Sequence, residues 1–360
     1  MSPCHPIRVL IVDDSAVVRH QLSEVLVADP DIVVAGTAGS GQLALSRIPE
    51  LKPDLVTLDI EMPGMDGLET LVEIRKRYPK LPVIMFSVWT GPGAVATVEA
   101  LARGASDYAT KPSRAGSIEG ARERVRQELV PKIKALCAPR EPFRSPEQTP
   151  ALVTPAQPSS RIDVIAVGSS TGGPNALAEL VPQFPEDFPV PVLIVQHMPA
   201  MFTHLLAARL SSLSRLKVQE GRDGQKLEKG QVWIAPGDYH MTVLRKGTDC
   251  VLGLNQDPPE NSCRPAVDVL FRSVAQAFGE NALAIVLTGM GADGTRGSAA
   301  IREAGGVVVA QDEASAVVWG MPGSVVAAGL ADRICPLSGI APEILRRVAF
   351  RRTFAARARA

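Results

Sequence analysis

The residues I-R-V-L-I-V-D-D-S at 7–15 place a run of branched apolar side chains directly before two carboxylates. Such a continuous apolar run is typical of a strand that is buried on both faces, as the strands of a parallel sheet are. Comparable runs follow at 32–35, 55–60 and 83–88, and segments with helical periodicity separate them. Strands that alternate with helices in this way predict a parallel sheet covered by helices, the doubly wound α/β class.

A second set of strand-like segments follows residues 138–160, which are dense in Pro, Ser, Thr and Gln. That composition is typical of a semi-extended linker and does not favour a packed core. The segment 239–250, with Lys246 and Gly247 at its turn, predicts an antiparallel hairpin inserted into an otherwise parallel sheet. Six apolar runs predict the strands of this second α/β domain: 162–167, 190–196, 231–235, 241–244, 282–288 and 307–310.

These patterns predict two doubly wound α/β domains. The first, at 5–125, has the flavodoxin-like pattern, and the second, at 161–350, has a parallel sheet with the antiparallel hairpin. A helical and Pro/Ser-rich linker at 126–160 is expected to join them.

Composition and charge exclude several classes of protein. Hydrophobic residues make up 46% of the 360 residues and charged residues 21%, which is enough apolar material for two packed cores. Lys plus Arg and Asp plus Glu both number 38, so no net charge favours nucleic acid or an anionic membrane as a partner. The apolar runs are much shorter than the ~20 residues of a membrane helix, and the five scattered cysteines indicate reduced thiols. We expect a cytoplasmic protein without membrane insertion.

Acidic side chains follow two predicted strands of the first domain. Asp13 and Asp14 follow the first strand and Asp59 ends the third, so all three carboxylates converge at the carboxyl edge of the sheet. Hard oxygen ligands around an open position suit Mg²⁺, while Lys111 adds a cation and Ser87 a hydroxyl at the same edge. Any one of these acidic residues is more simply explained as a loop or helix cap. The five together predict a site that holds a phosphoryl group on Asp59.

Three motifs of this domain resemble the receiver domain of two-component response regulators, and the resemblance covers about the first 125 residues. It implies phosphorylation of Asp59 by a histidine kinase, with Mg²⁺ bound by Asp13, Asp14 and Asp59. It also implies that Ser87 and Tyr108 report phosphorylation to the opposite surface. The motifs are V-D-D-S at 12–15, L-D-I-E-M-P-G-M-D-G at 58–67 and Y-A-T-K-P at 108–112.

The second domain carries G-S-S-T-G at 168–172 between a predicted strand and a helix-forming stretch. This pattern fits a nucleophile turn with Ser170 at its centre, where flanking glycines allow a sharp turn and helix amides stabilise an oxyanion. The alternative is a glycine loop that binds a phosphate or nucleotide. The chain has no G-x-x-x-x-G-K-[ST], which excludes a Walker-type site and leaves a looser anion site open.

A serine nucleophile needs a base and a residue that orients the base. His197 ends the strand next to that of Ser170, whereas His204 lies in a helical segment and His240 stands beside the hairpin. Asp293, in L-T-G-M-G-A-D-G at 287–294, follows the most apolar strand and is the candidate that holds the His197 tautomer. The same segment contains G-x-G-x-x-G, but a lone match late in a domain is weak evidence for a dinucleotide site.

Five motifs of the second domain are similar to the chemotaxis-specific methylesterase family. The resemblance implies Ser170 as nucleophile, His197 as base and Asp293 as orienter, with Thr171 and the Met290 backbone near the oxyanion. It also implies deamidation of glutamine side chains, and no cofactor for the esterase reaction. The motifs are G-S-S-T-G-G at 168–173, Q-H-M-P at 196–199, I-A-P-G-D-Y-H-M at 234–241, R-P-A-V-D-V-L-F at 264–271 and L-T-G-M-G-A-D-G at 287–294.

The sequence departs from this family at two positions near the predicted site. Cys263 stands before Arg264-Pro265 where His is expected, and Ser169 stands where Ala is usual. The predicted triad is intact.

Together the two resemblances predict a phosphorylation-activated hydrolase that removes methyl groups from glutamate methyl esters of chemoreceptors. Its partners would be a chemotaxis histidine kinase as phosphodonor and methyl-accepting chemoreceptors as substrate. We expect the unphosphorylated receiver to cover the cleft. The alternative is a non-catalytic, receptor-binding response regulator. A DNA-binding regulator is disfavoured, because no basic recognition helix is evident and the chain is neutral overall.

Overall fold

The computed structural model describes residues 5–87, 91–111, 118–138 and 161–357. The chain divides into two compact units, Met1–Arg140 and Glu141–Ala360. The Pro/Ser-rich part of the predicted linker, at 139–160, lies outside the described residues, as do Val88 and Pro112 of the predicted strand and motif.

The first unit alternates strand and helix throughout its described residues. Helix ends follow local capping rules: the Ser15 side chain accepts a hydrogen bond from the Val18 backbone N–H, and Asp66 and Glu69 form a reciprocal capping box. The elements are β1 (Ile7–Val12), α1 (Ala16–Val27), β2 (Ile32–Ala38), α2 (Gly41–Leu51), β3 (Leu55–Asp59), α3 (Gly67–Arg77), β4 (Val83–Ser87), α4 (Gly91–Ala102), β5 (Asp107–Thr110) and α5 (Ile118–Cys137).

The sheet of the first unit has the strand order β2-β1-β3-β4-β5, and every pairing is parallel. Every residue of β3 and β4 is buried, as expected for strands covered by helices on both faces. The strand order changes direction at β1, so the ends of β1 and β3 form the crevice in which such folds bind ligands. The predicted flavodoxin-like fold is confirmed.

Helix α5 extends beyond the predicted end of the first domain at 125. Leu129, Val130 and Ile133 of α5 are buried in the same core cluster as Val9 and Ile84 of the sheet. The helical half of the predicted linker 126–160 therefore packs as the last helix of the first unit, because its apolar side chains are needed to cover the sheet.

The second unit is also a parallel α/β structure. Its main sheet has the order β14-β13-β12-β6-β7-β9-β8, and all its pairings are parallel. The elements are β6 (Val164–Ser169), α6 (Gly173–Leu180), β7 (Val192–Gln196), α7 (Ala200–Leu213), β8 (Lys217–Glu220), β9 (Gln231–Ile234), β10 (His240–Lys246), β11 (Asp249–Asn255), α8 (Val267–Phe278), β12 (Ala282–Val286), α9 (Thr295–Glu303), β13 (Val307–Gln311), α10 (Met321–Ala327), β14 (Arg333–Cys335) and α11 (Leu337–Arg357).

The antiparallel hairpin is present, but the prediction that it is inserted into the parallel sheet is wrong. Strands β10 and β11 pair with each other and form a two-stranded sheet separate from the parallel one, and Lys226 adds one antiparallel bridge to Val251 of β11. The hairpin is held instead by helix α8, since the Ser273 hydroxyl accepts a hydrogen bond from Val243 N at 3.0 Å and Arg245 donates to the Ala277 carbonyl at 2.6 Å. Its turn contains Gly247 with a positive φ of 62°.

The centre of the large sheet explains how distant motifs meet. Strand β6 lies between β12 and β7, so the loops after three neighbouring strands emerge side by side at one edge. Ser170 follows β6, His197 follows β7, and Asp293 lies in the loop after β12. Among the helices of the described residues, none is long and apolar enough to cross a bilayer.

Candidate functional site

Ser170 lies on a tight turn between β6 and α6. Its backbone N–H donates to the Thr288 carbonyl at 3.0 Å, and its own carbonyl accepts from Gly173 N at 2.8 Å. Gly172 caps α6 with a φ of 79°, which only glycine adopts without strain. Gly289 passes so close that a Cβ there would lie 2.8 Å from the Ser170 Cβ. The turn therefore depends on glycine at two places, one on each of two neighbouring loops.

Gln196, the last residue of β7, ties this turn to the loop that carries His197. Its amide nitrogen donates to the Ser170 carbonyl at 2.9 Å, while its amide oxygen accepts from the Ser169 hydroxyl at 2.7 Å. The His197 backbone N–H donates to the Ser169 carbonyl at 3.1 Å. Alanine, which is usual in the family at position 169, has no hydroxyl and could not make this bond to Gln196. The departure from the family pattern at Ser169 therefore has a structural role.

His197 and Asp293 form a buried pair. The Nε2 of His197 lies 2.8 Å from Oδ2 of Asp293, and the two side chains are 11% and 3% exposed. Burial by itself would lower the pKa of His197, but hydrogen bonds with Asp293 and Cys263 outweigh it and raise the pKa to about 9. Among the hydrogen bonds of the described residues, none joins the Ser170 hydroxyl to His197. The structure brings the predicted base and the predicted orienter into contact and places the serine at the same edge of the sheet.

Asp293 is surrounded by hydrogen-bond donors at the N-terminus of helix α8. The backbone N–H groups of Val267, Asp268 and Gly294 donate to it at 2.7, 3.0 and 2.9 Å. Burial acts to raise the pKa of Asp293, but the bonds from His197 and from these amides overcome it and the pKa is lowered. The carboxylate therefore stays ionised and keeps the Nε2–H of His197 directed at itself.

A turn at 260–263 contributes two further contacts to the pair. Asn261 donates through Nδ2 to Oδ1 of Asp293 at 2.9 Å and to Asp268 at 2.9 Å. The sulfur of Cys263 lies 3.5 Å from Nδ1 of His197. Sequence reasoning missed both contacts. The weak signal for them was N-S-C directly before Arg264-Pro265, at the position where Cys replaces an expected His.

Thr171 and the backbone of Met290 were predicted to lie near the oxyanion. Thr171 is buried, and the Thr288 hydroxyl holds its carbonyl at 2.9 Å. Met290 is 37% exposed and follows Gly289, which contacts the Ser170 turn. Both residues therefore lie in the loops that meet around Ser170.

The other histidines of this unit have separate surroundings. His204 is exposed on α7 and lies 3.3 Å from a Glu220 carboxylate oxygen. His240 is buried, with Nδ1 accepting from Ala266 N at 3.2 Å and Nε2 at 3.2 Å from the Pro258 carbonyl. These contacts make His240 a structural support of the loop before α8.

In the first unit, the acidic cluster lies at the ends of β1 and β3 as predicted. Asp13, Asp14 and Asp59 each offer a carboxylate oxygen, and these atoms lie within 4.8 Å of one another. The Lys111 ammonium bridges two of them, at 2.7 Å from Asp13 and 2.8 Å from Asp59. Burial and the neighbouring Asp13 raise the pKa of Asp59 to about 6, although Lys111 opposes the shift. Crowded carboxylate oxygens of this kind fit a divalent cation.

Two predicted switch residues lie on the neighbouring strands β4 and β5. Ser87 ends β4 and is buried, and Tyr108 is buried within β5. The Lys132 ammonium lies 4.7 Å from the centre of the Tyr108 ring and donates to the Tyr108 carbonyl at 2.5 Å. Helix α5 thus contacts the aromatic residue that the receiver resemblance singles out.

Comparison with known proteins identifies both units. The family model of the CheB methylesterase matches residues 165–344, and that of the response regulator receiver domain matches residues 9–122. The chain belongs to the CheB methylesterase family. The matched ranges contain the Ser170, His197 and Asp293 loops in one unit and the acidic cluster in the other.

Relatives of this family match along most of the chain. A protein-glutamate methylesterase/protein-glutamine glutaminase of Trichodesmium erythraeum is 50% identical over 95% of this chain and 99% of its own length. One of the same name from a Nocardioides species is 51% identical over 96% of each chain. The crystal structure of the Thermotoga maritima CheB methylesterase catalytic domain, 40% identical, covers 51% of this chain and 98% of that domain with a TM-score of 0.51.

For the CheB methylesterase unit, the Asn261 contact gives a testable prediction. Replacing Asn261 by Gly removes both amide hydrogen bonds but suits the local backbone, whose φ is 53°. We expect kcat to fall by about tenfold with little change in KM, because partners of this kind orient a catalytic carboxylate. Ser262→Gly is the matched control, since Ser262 occupies the same turn with a φ of 62°. Equal kcat values in the two variants would show that Asn261 does not support Asp293.

Proposed function

We propose that this chain is a phosphorylation-activated hydrolase that removes methyl groups from glutamate methyl esters of chemoreceptors and deamidates receptor glutamines. The observation that supports it most directly is the buried His197–Asp293 pair beside the glycine turn of Ser170. A buried imidazole oriented by a carboxylate, at the sheet edge where a serine turn emerges, is the arrangement that serine acyl transfer requires.

In the acylation step, Ser170 is the nucleophile and His197 the base. Since Nε2 of His197 bonds to Asp293, Nδ1 is the nitrogen that accepts the serine proton. The serine oxygen then attacks the γ-carbonyl carbon of the ester, and backbone amides around Thr171 and Met290 stabilise the negative oxygen. His197 returns the proton to the leaving oxygen, so that methanol departs and a glutamyl-serine ester remains.

Deacylation repeats the same proton transfers with water. His197 accepts a proton from water, the hydroxide attacks the acyl carbon, and the proton returns to Ser170 as glutamate leaves. A glutamine side chain enters the same path with ammonia as the first leaving group. Methyl ester and amide share a tetrahedral intermediate on the same carbon, so one site serves both reactions.

In the first unit, Asp59 is the proposed phosphorylation site, with a chemotaxis histidine kinase as phosphodonor. Asp13, Asp14 and Asp59 would hold Mg²⁺, which supplies positive charge to the phosphoryl oxygens when it is bound. Lys111 bonds to Asp59 already and would pair with the added phosphoryl group. Ser87 and Tyr108 are the residues proposed to respond to that change in charge.

The described cysteines support a cytoplasmic location. Cys137, Cys250, Cys263 and Cys335 are free thiols rather than disulfides, which is typical of a reducing compartment. The proposed partners, a kinase and the receptors, are those that the receiver domain and the names of the relatives imply.

Methanol release from methylated receptor tests this function. With Mg²⁺ and a small phosphodonor, we expect the intact chain to release methanol faster than it does without the donor. Asp59→Asn should keep the basal rate and lose the stimulation, because the phosphoryl acceptor is gone. Glu61→Gln is the matched control, since this exposed carboxylate lies two residues further along the chain, in the loop after β3. Stimulation that persists in Asp59→Asn would contradict the assignment of Asp59.

A further inference from the structure

The nitrogen of His197 that must take the serine proton has a sulfur beside it. Cys263 Sγ lies 3.5 Å from Nδ1, while Asp293 occupies Nε2 on the other side of the ring. The ring is therefore held between a carboxylate and a thiol. Rotation of the ring about its Cβ–Cγ bond would break the contact with Asp293 and the contact with Cys263 at once.

The Cys263 thiol lies on a short turn that two backbone hydrogen bonds close. Glu260 N donates to the Cys263 carbonyl at 3.1 Å, and Cys263 N donates to the Glu260 carbonyl at 2.9 Å. The Glu260 carboxylate in turn accepts two bonds from Arg272 of α8, at 2.7 and 2.6 Å. Since α8 also supplies the N-terminal amides that bind Asp293, one rigid element sets the positions of both groups that contact His197.

We propose that Cys263 is a positioning residue that, together with Asp293, fixes the His197 ring with Nδ1 available to Ser170. This inference rests on the proposed function, because it assigns the atom at which His197 acts as base. It adds a residue that the triad does not include.

A thiol suits this position because it is a weak hydrogen-bond partner. When His197 is protonated, Nδ1–H can donate to the sulfur. When His197 is neutral, the S–H can donate to Nδ1, yet a weak donor yields that lone pair readily to the serine hydroxyl. Although burial lowers the pKa of His197, the bond with Cys263 acts with that of Asp293 to raise it to about 9. Removing the thiol should therefore lower the pH at which His197 becomes neutral. It should also leave the orientation of the His197 ring less well fixed.

The pH dependence of methanol release separates these effects. Because the base must be neutral, kcat/KM of the intact chain should rise with pH through about 9. In Cys263→Ala, we expect the high-pH plateau of kcat to fall by about tenfold, since a poorly oriented base transfers the proton less often. Its kcat/KM profile should also reach half-maximum at a lower pH than that of the unmodified chain. The Ser170→Ala variant supplies the background of alkaline ester hydrolysis.

Two outcomes of this kinetic test would overturn the proposal. A Cys263→Ala profile with the same plateau and half-maximum as the unmodified chain would show that the thiol does not act on His197. A profile scaled down at every pH, with its half-maximum unchanged, would indicate a purely structural role. Cys263→Ser restores a hydrogen-bonding atom at the same place, and we expect it to return the half-maximum toward that of the unmodified chain.

A second measurement does not depend on activity. The ring nitrogens of the five histidines can be followed by ¹⁵N NMR of the full chain during a pH titration. The Nδ1 of His240 accepts from Ala266 N rather than contacting residue 263, so the His240 signals identify a second ring of this unit in the same spectra. We expect the His197 midpoint to be lower in Cys263→Ala than in the unmodified chain or Cys263→Ser. Equal midpoints would refute the contact, whereas a chain that releases no methanol but shows the shift would refute the proposed function alone.

Discussion

Replacing Ser170 by Ala is expected to abolish methanol release, with a loss of at least about 10⁴-fold. The turn that carries Ser170 is fixed by backbone bonds to Thr288 and Gly173 and by the Gln196 amide, all of which remain in the alanine variant. The fold should therefore survive, and only the hydroxyl proposed as the nucleophile is lost. Methanol release and ammonia release from receptor glutamines should fall together, since both depend on the same oxygen.

Ser169→Ala is the control for this experiment. Ser169 is the adjacent hydroxyl, but it bonds to the Gln196 amide oxygen rather than facing the reaction. We expect it to cost about 1 kcal/mol in the free energy of unfolding and to leave kcat within a few-fold. Persistent methanol release by Ser170→Ala would contradict the serine mechanism. Receptor binding with no methanol release by the unmodified chain would favour the non-catalytic alternative.

The strands of both sheets could be predicted from sequence where they are buried on both faces. Runs such as those of β1 (Ile7–Val12) and β12 (Ala282–Val286) are almost wholly apolar, because helices cover both sides of the sheet. Two edge strands, β8 (Lys217–Glu220) and β14 (Arg333–Cys335), escaped prediction, since they are short and contain charged residues. The placement of the hairpin was wrong because alternating residues reveal a buried face but do not reveal which element buries it.

The candidate site also contains residues that could be predicted from sequence and residues that could not. Ser170, His197 and Asp293 each follow an apolar strand, so sheet topology alone predicts that they meet at one edge. Asn261 and Cys263 do not follow a strand of the sheet. Their positions depend on a turn with two positive φ angles and on an ion pair to α8, neither of which has a periodic sequence signal. Long-range contacts made from an irregular loop had to be seen in the structure.

Replacing Asp293 by Asn should reduce both activity and stability. The carboxylate accepts from His197 Nε2, from Asn261 and from three backbone amides, whereas an asparagine has one acceptor oxygen and directs an NH₂ group at the remaining donors. We expect kcat to fall by about 10⁴-fold, because His197 is no longer held in the tautomer that leaves Nδ1 unprotonated. The free energy of unfolding should decrease by about 3 kcal/mol, since a buried pair loses one charge.

The pH dependence of this loss follows from the two pKa shifts. Folding lowers the pKa of Asp293, so its contribution to stability is present above the ordinary value of 3.8 and is lost as the pH falls below it. Folding raises the pKa of His197, so its contribution is complete below the ordinary value of 6.5 and is lost as the pH rises through about 9. The difference in unfolding free energy between the unmodified chain and Asp293→Asn should therefore be largest between these two ordinary values.

Asp268→Asn is the matched control for Asp293→Asn. Asp268 is equally buried and accepts from Gly297 N at 2.6 Å and from Asn261, but none of the hydrogen bonds among the described residues joins its carboxylate to His197. We expect it to lower the unfolding free energy while keeping kcat within about tenfold, because the base remains oriented. Urea unfolding and methanol release, measured on both variants at one pH, separate the two effects. If Asp293→Asn lost no more activity than Asp268→Asn, the orienting role would belong to Asp268 and Asp293 together rather than to Asp293 alone, the carboxylate that contacts His197.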